Sequence, residues 1–196
     1  PRPSALKQYA EAGWQFVPLH HWAEKRQLPP TAKNPQGRLL ELGKAPVGKA
    51  WTKHGVDLKK ATTHANAGKN VGAMIPPGWA VIDVDPRNGG DKSWKELCAD
   101  LGLDASAFPC VVTGSGGLHL YMSKPDDVPV VDTLEDYPGV EFKSKGRQVV
   151  AAGSIHPDTL KHYDWDALGS VALDDLPPAP RNWPMPWPRA ACPTCA

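Results

Sequence analysis

Ala80-Val81-Ile82-Asp83-Val84-Asp85-Pro86-Arg87-Asn88-Gly89-Gly90 is the stretch that decides the reading of this chain. An apolar, β-prone run carries two carboxylates two residues apart and then breaks into a Pro/Asn/Gly turn. Strand side chains alternate between faces, so Asp83 and Asp85 project together, roughly 6–7 Å apart along the strand, while Ile82 and Val84 turn to a core. Like charges held that close repel unless a cation sits between them. Hard oxygen ligands on one rigid strand suit Mg²⁺ or Mn²⁺. A solvated strand end is the plain alternative for an isolated Asp-x-Asp, so the pair takes its meaning from its neighbours.

Two further segments repeat the design. Thr113-Gly114-Ser115-Gly116-Gly117 leads into Leu118-His119-Leu120-Tyr121-Met122, where Leu118, Leu120 and Met122 share one face and His119 and Tyr121 the other. Glycines let backbone N–H groups approach an anion, and a histidine just beyond can donate to a phosphate; a plain hairpin turn and a packed strand histidine are the alternatives. In Gly139-Val140-Glu141-Phe142-Lys143, Val140 and Phe142 make the apolar face and Glu141 and Lys143 the polar one. It continues into Gly146-Arg147-Gln148-Val149-Val150-Ala151-Ala152-Gly153-Ser154-Ile155-His156-Pro157. If these strands join one sheet, three acids, a Gly-rich loop, His119 and Lys143 meet on a single polar surface, a plausible seat for a metal-bound nucleoside triphosphate.

The order and spacing of these segments resemble the bifunctional DNA primase/polymerase (Prim-Pol) domain of the archaeo-eukaryotic primase superfamily, found in plasmid and phage replication proteins. The resemblance spans roughly residues 5–166 and includes Tyr9-Ala10-Glu11-Ala12-Gly13-Trp14, Val17-Pro18-Leu19, Gly43-Lys44-Ala45-Pro46 with Trp51, Ala61-Thr62-Thr63 and Asn70-Val71-Gly72. It implies that Asp83 and Asp85 are the first metal-binding pair and that Glu141, where the family usually has Asp, is the third acid. It implies two Mg²⁺ or Mn²⁺ ions on these three residues. It makes His119 the nucleotide-contacting histidine, with Ser115, Gly116 and Gly117 beside the triphosphate. Lys143 takes a position commonly held by arginine; it keeps the charge and loses the bidentate fork. Ser154 and His156 match a Pro-Pro-Ser-x-His-like element in which Ala152-Gly153 replaces the prolines. Arg147 is a weaker candidate, read more readily as a surface arginine. The implied partners are a single-stranded DNA template, NTP or dNTP and, further along related chains, a helicase. The implied activity is a template-directed nucleotidyltransferase. A metal-dependent nuclease or phosphodiesterase and a non-catalytic template- or origin-binding module are the alternatives.

At 196 residues the chain fits one domain with a good core, and 41% hydrophobic and 22% charged residues are ordinary for a globular protein. A net charge of +1 leaves any nucleic-acid binding to local cations, with Lys44, Lys49, Lys53, Lys59, Lys60 and Lys69 upstream of the acids and Lys143, Lys145 and Arg147 downstream. No apolar stretch approaches a membrane span and no signal-peptide core opens the sequence, so a cytoplasmic location is expected. Cys98 and Cys110 read as buried thiols, whereas Cys192-Pro193-Thr194-Cys195 is half of a zinc-ribbon ligand set without its second pair.

The residue pattern predicts a helix from Ser4 to about Ala12, a strand over Trp14–Leu19, a long polar loop over 21–50, and a helix from Asp57 to Ala67. Val71–Ile75 and Trp79–Asp85 read as a hairpin around Pro76-Pro77-Gly78. A helix over Asp91–Leu101 and strands at 108–113, 118–123, 139–143 and 147–152 follow. This is an α/β (α+β) order with hairpins. It suits the RRM-like mixed or antiparallel catalytic sheet with flanking helices that the resemblance implies, plus a smaller N-terminal αβ unit. Residues 1–176 are assigned to this domain and 177–196 to a Pro-rich tail or linker in which Trp183 and Trp187 are expected to pack back.

Overall fold

The structure is a computed structural model that describes residues 1–125, 130, 132–167 and 172–175. The tail at 177–196, with Trp183, Trp187, Cys192 and Cys195, lies outside the described residues.

Pro3 opens a 3-10 turn at Pro3–Leu6, so Arg2 and not Ser4 takes the capping position, without a side-chain bond. Helix α1 (Lys7–Glu11) follows and buries Tyr9. Strand β1 (Gln15–His21) leads to a hairpin of β2 (Lys25–Leu28) and β3 (Arg38–Glu41), in the region the residue pattern marks as a loop. Neither face of this hairpin is buried, so no apolar alternation announces it; cross-strand pairing and an ion pair between Lys25 and Glu41 (2.8 Å) hold it instead. Helix α2 (Leu58–Asn66) starts where Asp57 accepts from the Lys60 amide. Then come β4 (Lys69–Met74), β5 (Trp79–Val84), α3 (Gly90–Leu101), β6 (Cys110–Val112), β7 (Leu118–Ser123), β8 (Val140–Lys143), β9 (Gln148–Val150) and β10 (Asp164–Trp165).

Two antiparallel sheets result, in the orders β1-β4-β9 and β10-β6-β7-β5-β8. The run β8-β5-β7-β6, with α3 between β5 and β6, has the strand order of an RRM-like sheet. The fold is therefore α+β, as the pattern implies, with two corrections. First, β4 and β5 are neighbours in sequence but do not pair; β4 takes β1 and β9, and β5 takes β7 and β8. Pro76-Pro77 lacks amide donors and holds the chain extended, so it carries the strand across to the second sheet. Second, β9 returns from beyond β8 to complete the three-stranded sheet, so the smaller unit is not made of N-terminal chain alone.

The five-stranded sheet is covered on both faces. Ala80, Ile82 and Val84 pack with Leu120, Met122 and Phe142 against Trp94 and Leu97 of α3. On the opposite face Val81, Val111 and Tyr121 are buried against Phe16, Val17, Val71, Ala73 and Val149 of the smaller sheet. The second face is thus polar only where that cover ends, at Asp83. Cys110 is buried and Cys98 half-buried, both as free thiols. Among the described residues no helix is long and apolar enough to cross a membrane.

Candidate active site

Strand register builds the centre of the site. Asp83 of β5 lies directly opposite His119 of β7 on one side and Glu141 of β8 on the other. Lys143, two residues past Glu141 on the same face, donates from Nζ to the Asp83 carboxylate and, at 2.9 Å, to Glu141. Burial pulls the Lys143 ammonium down, but Asp83 and Glu141 outweigh it and hold its pKa above the usual value. His119 is 4% exposed, and burial lowers its pKa to about 4 against the opposing pull of Asp83. Its Nε2 stands 3.7 Å from Asp83 Oδ1, too long for a hydrogen bond, and its buried Nδ1 has no partner. Burial raises the Asp83 pKa, but His119, Lys143 and Lys44 together outweigh it and hold the carboxyl below its usual range.

Asp85 falls one residue beyond the end of β5 and caps the 3-10 turn at Pro86–Asn88. Its Oδ1 accepts from the Arg87 amide (3.0 Å) and Nε (3.1 Å), and its Oδ2 from Arg87 Nη2 (3.2 Å) and Asn88 Nδ2 (3.0 Å). Burial raises its pKa, but the Arg87 bonds dominate and bring it below the usual carboxylate range. The two aspartates therefore line one cavity while each is neutralised by its own cation.

The Gly-rich loop is a tight turn. Gly116 adopts φ 85°, and a Cβ on Gly117 would lie 2.2 Å from the Val84 carbonyl oxygen, so only glycine lets the loop close over the end of β5. The Gly116 amide donates to the Thr113 carbonyl (2.9 Å) and the Gly117 amide to Thr113 Oγ1 (2.9 Å). Those two amides are thus occupied within the turn, and what the loop presents to the cavity is Thr113 and the Ser115 hydroxyl, 3.0 Å from Thr113 Oγ1.

The remaining candidates separate. Ser154 is 2% exposed; its hydroxyl donates to the Val71 carbonyl (3.0 Å) and accepts from the Val71 amide (3.1 Å), stitching its loop to β4 away from the cavity. His156 is fully buried, stacked on Tyr163, with Nε2 3.0 Å from Lys44 Nζ. Arg147 pairs with Asp132 outside the cavity.

The cavity these groups share has a volume of about 220 Å³ and is walled by Asp83, Asp85, Glu141, Lys143, His119 and Ser115 together with Lys44, Arg87, Thr113, Gln148 and Tyr163. Lys44 and Thr113 come from segments that carry the resemblance, whereas Arg87, Gln148 and Tyr163 are not among the sequence-predicted site residues. Arg87 had a legible signal, since it follows the acid pair in a turn that folds back on Asp85. Gln148 and Tyr163 had none, because β9 and the residues before β10 reach the cavity only through the pairing of the two sheets.

Among the described residues no group of three His, Cys, Asp or Glu side chains is arranged to hold a metal. Asp83 and Glu141 are nonetheless paired hard-oxygen donors bridged by an ammonium, which stands where two facing carboxylates need positive charge. These two fit a cation once Lys143 turns aside, and Asp85 joins them only on leaving Arg87.

A family model described as bifunctional DNA primase/polymerase, N-terminal (Prim-Pol), matches residues 6–182 of the chain. No curated protein matches it.

Proposed function

The chain belongs to the Prim-Pol family, and from that membership and the chemistry of the cavity we propose that it is a template-directed nucleotidyltransferase that extends a 3′-hydroxyl on single-stranded DNA with NTP or dNTP and releases pyrophosphate. The family is one of nucleotidyltransferase-type enzymes. The observation that carries the reading is the row His119–Asp83–Glu141 on three paired strands, opening onto one cavity with Ser115 and Lys143.

In this reading Asp83, Glu141 and a released Asp85 would hold Mg²⁺ or Mn²⁺, which when bound supplies charge to acidify the attacking hydroxyl and to stabilise the leaving pyrophosphate. The chain's own groups do the rest. Lys143, freed from the carboxylates, turns its ammonium toward the phosphates. Ser115 donates its hydroxyl to a phosphate oxygen, and His119 contributes one N–H as a neutral imidazole. Tyr163 and the cover of the smaller sheet exclude water from the buried side of the row.

The test is incubation with a primed single-stranded template, nucleotides and Mn²⁺. Extension lost in Asp83→Ala supports the proposal. Degradation of the template by the unaltered protein would support a nuclease instead, and binding without either reaction would support a template-binding module.

A further inference from the structure

Asp85 faces two claims that it cannot meet at once. As folded, Arg87 holds it, through Nε to Oδ1 (3.1 Å) and Nη2 to Oδ2 (3.2 Å). Both carboxylate oxygens are engaged by this fork, so a divalent cation on Asp83 and Glu141 gains Asp85 only when the fork lets go. The other two bonds to Asp85, from the Arg87 amide (3.0 Å) and Asn88 Nδ2 (3.0 Å), belong to the turn and do not depend on the guanidinium. Only the guanidinium has to move, and the fold has to receive it.

A receiver stands within reach. Asp158 Oδ2 lies 3.8 Å from Arg87 Nη1, the one guanidinium nitrogen that Asp85 does not engage. That is ion-pair range but too long for a hydrogen bond. Among the described residues nothing donates to the Asp158 carboxylate. Its other neighbour, His156 Nδ1 at 3.9 Å, is an acceptor, since it takes the amides of Asp158 (3.2 Å) and Thr159 (3.4 Å). The loop that carries Asp158 is nevertheless pinned. The Leu160 amide donates to the His156 carbonyl (3.0 Å), and Thr159 Oγ1 donates to the Gly114 carbonyl (2.7 Å), which ties the loop to the Gly-rich turn. Asp158 does not line the cavity, so a guanidinium that turns to it withdraws from the wall. Its charge already acts on Arg87, whose pKa is raised first by the bond to Asp85, with burial opposing and Asp158 adding.

We propose that Asp158 is the second seat of Arg87: when a divalent cation takes Asp85, the guanidinium turns from Asp85 to Asp158, and this exchange sets how tightly the cation binds. The place of the cation on Asp83, Asp85 and Glu141 rests on the function proposed above. Asp158 is a positioning residue that acts through Arg87 and touches neither cation nor substrate. No charge is stranded by the exchange. The cation replaces the guanidinium at Asp85, and Asp158 gains the close partner it lacks. Arg87 and Asp158 are 55% and 47% exposed, so the new ion pair is modest and its effect on cation affinity is a factor of a few.

The experiment titrates Mn²⁺ alone, followed by its paramagnetic resonance signal, into the unaltered protein, Asp158→Asn, Arg87→Met and the double variant. Both side chains are about half exposed, so all three variants are expected to fold, which circular dichroism checks. Arg87→Met is expected to tighten Mn²⁺ binding about threefold, because Asp85 loses its competitor. Asp158→Asn is expected to weaken it about threefold while Arg87 is present, and by less than about 1.5-fold in the Arg87→Met background. Equal weakening in both backgrounds would mean that Asp158 acts by its charge alone, and overturns the proposal. So does an Mn²⁺ affinity that Arg87→Met leaves unchanged, or one that does not fall in Asp85→Ala. The expected coupling in a protein that incorporates no nucleotide would sink the polymerase reading and leave the exchange standing. Incorporation with equal weakening in both backgrounds would do the reverse.

Discussion

One face of β5 and β7 runs through two unlike environments within a single step of the register. At Val81–Tyr121 the face is sealed: Tyr121 packs edge-on against Tyr9 and Trp14, and the Tyr9 and Tyr121 hydroxyls share a buried hydrogen bond of 2.7 Å. At Asp83–His119 the same face opens onto the cavity, with an unpartnered imidazole nitrogen and a carboxylate that relies on Lys143. The strands are continuous, so the difference lies in what covers them. The aromatic cluster ends, the polar loops begin, and the same alternation that makes a core at one position makes a site at the next. The rigid seam is what holds the row of polar groups in line.

Two substitutions break this contrast from opposite ends. Asp83→Ala is expected to reduce nucleotide incorporation by about 10³-fold or more, with the folded state retained by circular dichroism; loss of the fold would mean that Asp83 belongs to the seam. Tyr121→Ala is expected to lower unfolding free energy by about 3 kcal/mol in urea denaturation, through the cavity it leaves and the loss of the buried hydroxyl–hydroxyl bond to Tyr9, whose oxygen keeps only the Ala152 amide. A change below about 1 kcal/mol would show that the aromatic seam is not what supports the row.

The next pair sharpens the line between holding and reacting on the loop after β9. Ser154→Ala is expected to cost about 1–3 kcal/mol of stability, since the Val71 amide loses the hydroxyl it donates to and the Val71 carbonyl is left with the Ala151 amide alone. The nucleotide KM should not change, and a raised KM with unaltered stability would return Ser154 to the nucleotide. His156 gives the pH test. Burial, with Lys44 and Arg87 adding, lowers its pKa from 6.5 to about 4, while Glu41 and Asp85 pull the other way and Asp158 faces its Nδ1 at 3.9 Å. Between those pH values the unfolded chain binds the proton and the folded one does not, so stability falls as pH drops from 6.5 through 4. His119 shares that window, so the measurement is the difference between the unaltered protein and His156→Gln. The variant should lose less stability on acidification, and parallel curves would show that His156 is not held neutral.

What the sequence disclosed follows the same division. Asp83, Glu141 and Lys143 were legible because strand alternation is local, and their convergence needed only that β5 and β8 be neighbours. The bounds Asp57–Ala67 and Asp91–Leu101 fall within a residue of α2 and α3, which the structure closes with an Asp57 cap and a left-handed Gly102. The β2–β3 hairpin was not legible, because a strand pair with neither face buried has no apolar period to show. Lys44 was legible as part of Gly43-Lys44-Ala45-Pro46, but its place on the cavity wall was not, because Asn70 and Gln148 meet its loop only across the sheet. The pairing of Asp85 with Arg87 was in plain view as a turn but reads as a site feature only once the cavity is known.

The smallest effect concerns strain in the loop that follows His156. Leu160, in the loop that follows His156, has φ 61° and is the one non-glycine residue among those described with a positive φ. It is 58% exposed, so its side chain gains little from burial, while its amide is tied to the His156 carbonyl at 3.0 Å. A left-handed leucine costs about 1–2 kcal/mol, against roughly 0.5–1 kcal/mol of extra unfolded-chain entropy for glycine. Leu160→Gly should therefore raise stability by about 0.5 kcal/mol, or roughly 1–2 °C in unfolding midpoint for a domain of this size. The aromatic seam has no such reserve, since none of its residues has a positive φ. A lowered midpoint would mean that the leucine side chain holds the His156 loop shut. The strain would then be part of how that loop keeps its shape, and not a cost it merely tolerates.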